Sequence, residues 1–246
     1  MLRSIAIILT IVCLSFSSSS SADLPAKATY LFYIQGEYAG KCDIDVNEDG
    51  GLLVFRSASV LSWDDFKLDL HTRTKVDKET LQPRYYEYDG TRTGQKISGT
   101  VRADGDSLSG VNVLDGNSFP SGMRLTGPTY LFDNYVSDHQ IIIARAIDRS
   151  DEPFLRFTIV LPSEFLPLPT VGTLVSEIEL PTNPKPSVCK KFAVAMKNSA
   201  PYFLYLDPKL GIPLYMDFPS ATTEVFLESA FGGKPVTKYV RPETTE

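Results

Sequence analysis

From Ala28 onward, apolar and polar residues alternate in short runs rich in aromatic and β-branched side chains, broken by clusters of Gly, Asn and Asp. That period of two is the pattern of half-buried strands. Residues 29–35, 42–46, 52–60, 65–76, 83–88, 95–102 and 107–114 read as strands, with turn chemistry at Asn47-Glu-Asp-Gly-Gly51, Tyr88-Asp-Gly90 and Asp104-Gly-Asp106. A second series follows at 154–161, 171–180, 188–197, 202–206, 213–218 and 222–228.

Between the two series the period changes. Phe132, Tyr135, Val136, His139, Ile142, Ile143, Ala146 and Ile147 recur at steps of three and four, as the buried stripe of a helix does. The spacing predicts a mainly helical segment over 131–148, although the β-branched run Ile141-Ile-Ile143 would also suit a strand. An apolar stripe and an apolar sheet face each need a partner, so this helix is expected against the sheet as a plug or a lid. Six of the 17 prolines fall between Val160 and Pro186, marking strand edges and crossings instead of a flexible linker. The expectation is therefore one β-rich domain over 23–246, ending in a short polar tail.

At 43% hydrophobic residues the chain has material for a sizeable core, which argues against global disorder. With 24 basic against 30 acidic residues, a formal charge of −6 and no basic block, it lacks the footprint of a nucleic-acid binder. The N-terminus predicts export: Arg3, then an apolar stretch from Ile5 to Leu14, then a serine run leading to Ala22 and Asp23. Residues 1–22 read as a signal peptide cleaved near Ala22, which would place the protein in the periplasm or outside the cell with no transmembrane span left. Cys13 would leave with the signal, and an oxidising compartment would then permit a bridge between Cys42 and Cys189. Strand parity speaks on both sides: Cys42 shares a face with Ile44 and Val46, whereas Cys189 lies opposite Val188, Phe192 and Val194.

Candidate chemistry is sparse. Asp45-Val-Asn-Glu-Asp-Gly50 opens like a calcium loop, but the twelfth position is Arg56 where a bidentate Glu is needed, and a polar hairpin turn accounts for it better. His71 and His139 stand in no metal-binding spacing, so neither a metal nor another cofactor is expected. Ser137-Asp-His139 holds the residue types of a hydrolase triad, yet consecutive side chains diverge and no Gly-x-Ser-x-Gly elbow occurs, so His139 reads as part of the helical stripe. Among the many aromatic residues, Trp63, Phe66, Tyr130, Phe132 and Tyr135 are candidates to line an apolar cavity.

Four segments carry a family resemblance: Tyr33-Ile-Gln-Gly-Glu-Tyr-Ala-Gly40; Val76-Asp-Lys-Glu-Thr-Leu-Gln-Pro83 with the following Arg84-Tyr-Tyr-Glu-Tyr-Asp-Gly90; Asp133-Asn134 leading to Ile143-Ala-Arg-Ala-Ile-Asp148; and Leu204-Tyr-Leu-Asp-Pro-Lys-Leu-Gly211 with Phe218-Pro219. Together they resemble the DUF3108 group of exported bacterial proteins of unknown function, whose architecture is similar to the LolA and LolB lipoprotein carriers. The resemblance implies a curved antiparallel sheet or half-open β-barrel with one central helix or helical lid. It also implies a non-enzymatic binding protein for an apolar, lipid-like molecule or an envelope protein. A cell-envelope hydrolase built on an Asp/Glu pair, and a structural or chaperone-like interaction module, stand as the alternatives.

Overall fold

A computed structural model describes residues 23–232 and 237–238. The proposed signal peptide and most of the polar tail lie outside the described residues.

The first series of strands is β1 (Lys27–Ile34), β2 (Glu37–Asp49), β3 (Leu52–Trp63), β4 (Phe66–Asp77), β5 (Pro83–Arg92), β6 (Gln95–Asp104), β7 (Ser107–Leu114) and β8 (Asn117–Arg124). A short β9 (Thr129–Leu131) leads into helix α1 (Ser137–Asp148). Then come β10 (Phe154–Leu161), β11 (Leu166–Leu180), β12 (Ser187–Met196), β13 (Tyr202–Asp207), β14 (Ile212–Phe218), β15 (Thr223–Leu227) and a single helical turn, α2 (Glu228–Phe231). All fifteen strands form one open sheet in the order β8-β7-β6-β5-β4-β3-β2-β1-β15-β14-β13-β12-β11-β10-β9. The fold is mainly β, a large curved sheet around one substantial helix, as the alternation predicts.

Alternation sets the register. Along β4, Leu68, Leu70, Thr72, Thr74 and Val76 are buried while Lys67, Asp69 and His71 face water. The Asp45–Gly50 segment is a hairpin between β2 and β3; Gly50 and Gly51 both take the positive φ such a two-residue turn demands, and Asp45 pairs with Lys27 at 3.3 Å.

The sheet is antiparallel throughout except at one end, where β9 runs parallel to β10. Parallel neighbours cannot be joined by a hairpin, so the chain needs a crossover, and α1 is that crossover. The helix starts six residues later than its periodicity suggests. Leu131 is paired with Val160 in β9, and the Phe132 N–H donates to the Val160 carbonyl at 3.1 Å, which holds this stretch extended. β8 was invisible to the period-two criterion because Pro120 and Gly122 interrupt it, and it is an edge strand, where Pro is tolerated.

Every residue of α1 from Ser137 to Ile147 is buried, the polar side chains included. One apolar stripe would have sufficed for a helix lying on a flat sheet. Here the sheet curls around it, and α1 touches strands of both series, from β2 and β3 to β13 and β14. Of the two positions open to it, the helix occupies the interior as a plug. The curl also brings the β10–β11 turn over β7: Asn112 Nδ2 donates to the carbonyls of Pro162 and Ser163 at 2.9 and 2.8 Å.

Cys42 and Cys189 are free thiols, which corrects the suggested bridge. Register explains it. Cys42 pairs beside Tyr30, and Phe32, Val225, Met216, Leu204 and Phe192 continue the same helix-facing side across the sheet. Cys189, three residues before Phe192 on β12, falls on the other face, and five steps in strand order separate β12 from β2. Two thiols pointing to opposite sides of one sheet cannot meet. Burial pushes the Cys42 thiol up to about 11 and Cys189 up to about 12.

Candidate functional site

Where β1 meets β15 and β14, the helix-facing side of the sheet leaves a cavity of about 250 Å³ beneath the start of α1. Phe32 and Ile34 of β1, Met216 and Phe218 of β14 and Val225 of β15 form its floor. Trp63 at the end of β3, the connecting residues Phe132, Asn134, Tyr135 and Val136, and the first turn of α1, through Ser137 and Gln140, form the walls. Tyr202 stacks on Phe218 at 5.0 Å and packs against Phe132 at 5.7 Å, so one side is backed by an aromatic layer.

Three of the five aromatic candidates, Trp63, Phe132 and Tyr135, line this cavity. Phe66 stands behind Tyr135, ring centroids 5.1 Å apart, and supports the wall without reaching the space. Tyr130 lies elsewhere, edge-on to Phe157 at 5.2 Å, with burial raising its hydroxyl to about 12. The floor escaped the sequence. Phe32 and Ile34 carry strand-like spacing, but their position beside Val225, Met216 and Phe218 depends on β1 pairing with β15, a contact between the two ends of the described chain.

A polar cluster anchors the start of α1 to the sheet. Ser57 donates to Asp138 Oδ1 at 2.7 Å, and Ser59 donates to the Tyr135 carbonyl at 2.6 Å. Tyr86 donates to Asp133 Oδ2 at 2.8 Å, and its ring lies 4.9 Å from that of His139. The Asp133 N–H donates to His139 Nδ1 at 3.0 Å, which places the proton of the neutral ring on Nε2, 3.4 Å from Thr74 Oγ1. Burial lowers the His139 pKa and outweighs the opposing pull of Asp138 and Asp133. The row of small inward side chains Cys42, Ser57, Ser59, Thr72 and Thr74 now has a reason: it leaves room for the helix and supplies partners for its first turn.

Ser137, Asp138 and His139 do not act together. Ser137 borders the cavity, Asp138 turns to Ser57 and His139 turns to Thr74 and Tyr86. Asp133 and Asp138 both approach Tyr86 and His139, but Asp138 is fully buried and both carboxylates accept bonds from the protein itself. The geometry thus commits Asp133 and Asp138 to holding the helix in place.

A second cavity of about 250 Å³ adjoins the first, with Asn134 and Tyr135 lining both. Its character differs, since Arg92, Asp133 and Glu164 contribute to its lining. Among the described residues no helix is long and apolar enough to cross a membrane.

No family model matches the chain, and no curated protein does. Among solved structures, the chain is similar to a DUF1089 family protein from Pseudomonas aeruginosa, at 11% identity and a TM-score of 0.44, over 90% of this chain and 97% of that one.

Proposed function

We propose that this is an exported, non-enzymatic binding protein that holds an apolar, lipid-like molecule in the cavity beneath α1. The observation that carries the proposal is the cavity itself, floored by Phe32, Ile34, Met216, Phe218 and Val225 and walled by Trp63, Phe132 and Tyr135. A concave, mostly apolar space with a few polar groups at one side is the usual form of a small-molecule site. Export rests on the charge, apolar and small-residue order of residues 1–22. The resemblance to the DUF3108 group, and through it to the LolA and LolB carriers, agrees with a lipid-like cargo but is an analogy of fold.

Native mass spectrometry of protein purified from the periplasm tests both halves. A mature chain beginning near Asp23 with a co-purifying lipid is expected. Retention of Met1 would sink the export assignment, and a clean apo mass would sink the cargo.

A further inference from the structure

Resting on that binding reading, we infer that the cavity selects amphiphiles whose polar end is uncharged and both donates and accepts hydrogen bonds, such as a hydroxyl or an amide. Among the described residues, the lining of this cavity contains no Asp, Glu, Lys, Arg or His. An ionised carboxylate, phosphate or ammonium entering it would lose water and gain no counter-charge, which is the costly case of charge burial. What the walls do offer is neutral: the amides of Asn134 and Gln140, the hydroxyl of Ser137 and the indole of Trp63.

Three of these groups are left without a hydrogen-bond partner while shielded from solvent, the Nε1–H of Trp63, Oγ of Ser137 and Oε1 of Gln140. Gln140 is only 3% exposed. The indole donates, the amide oxygen accepts and the hydroxyl does either, so an end group that does both can serve all three. A carboxylate only accepts and leaves Gln140 Oε1 unserved, and an ammonium only donates and leaves the Trp63 N–H unserved. The start of α1 adds to the donor side, because Val136 at its N-cap gives no side-chain cap. The adjoining cavity differs, with Arg92, Asp133 and Glu164 in its lining.

The space is small. At roughly 30 Å³ per water-sized group it holds about eight such groups, a short alkyl segment and its end. Trp63 is the sole tryptophan of the sequence and lines the cavity, so its fluorescence reports occupancy directly.

The test titrates the mature protein near neutral pH with 1-octanol, octane, octanoate and octylamine, following Trp63 emission. Octanol is expected to bind at least tenfold more tightly than each of the other three, and Gln140→Leu to bring octanol down to the level of octane. Octanoate or octylamine binding as well as octanol would overturn the inference of an uncharged end, and octane binding as well would overturn recognition of the end group. Either result leaves the apolar-binding reading intact. Failure of all four to bind defeats the binding reading and this inference with it. The wild-type comparison decides the matter even if the Gln140 variant does not fold.

Discussion

Gly172 on β11 lies under Ile147 of α1 so closely that a Cβ on residue 172 would stand 2.4 Å from Ile147 Cδ1. The helix is thus seated against the sheet through the missing side chain of one residue. Gly172→Ala should destabilise the fold by about 1–3 kcal/mol, the usual cost of overpacking a dense core. Urea unfolding measures it. Adding Ile147→Val should recover part of the loss, and strict additivity of the two changes would show that the contact is not the cause.

Ile143 tests whether α1 is core. It is fully buried near the middle of the helix. Ile143→Ala should cost about 2–5 kcal/mol as a cavity in packed surroundings. A lid that swings open would lose far less stability and would change ligand retention instead, so the unfolding midpoint and bound-lipid content are to be measured together.

Acid should loosen the same region through His139. Its folded pKa is lowered by burial from the ordinary value of about 6.5. Between the two values the unfolded chain binds more protons, so protonation favours unfolding. Stability is complete above about pH 6.5 and falls on acidification until the folded pKa is passed, with a slope of up to ~1.4 kcal/mol per pH unit. Chemical unfolding across this range should show the slope in the wild type and a shallower one in His139→Gln. An unchanged slope in the variant would remove His139 as its source.

Cys42 and Cys189 should behave as inert thiols. Both are buried and held well above neutral pH in their titration, so almost no thiolate is present to react. A chain lacking residues 1–22 should show no reactive thiol when native and two once unfolded. An intact mass lower by two hydrogens would reveal a bridge and contradict the register that puts the thiols on opposite faces.

Much of this molecule could be read from single residues. The alternation that fixes β3 or β4 is local, and β7 and β10 begin and end where their alternation does. The start of α1 was not local, because Leu131 and Phe132 obey the helical period but are claimed by pairing with Val160. Nor was β8, whose Pro120 is acceptable only at an edge. Aromatic content pointed to Trp63, Phe132 and Tyr135 at the cavity. It also pointed to Tyr130, which is equally aromatic and simply packs on Phe157. Nothing in a side chain's identity says which cluster it joins. Asp138 and Gln140 lie off the apolar stripe that holds His139, and only the curl of the sheet buries that side of the helix as well.

The strand order has one more implication. Followed around, it is the chain order itself closed into a ring, β15 beside β1, with its single opening between β8 and β9. Nearly every antiparallel contact can therefore form by adding the next hairpin, whereas the β1–β15 seam must wait until chain ends almost two hundred residues apart come together. A circular permutant that tethers β15 to β1 and starts the chain between β8 and β9 would turn that seam into one more hairpin, and its folding would no longer wait on the distant encounter that also builds the cavity floor.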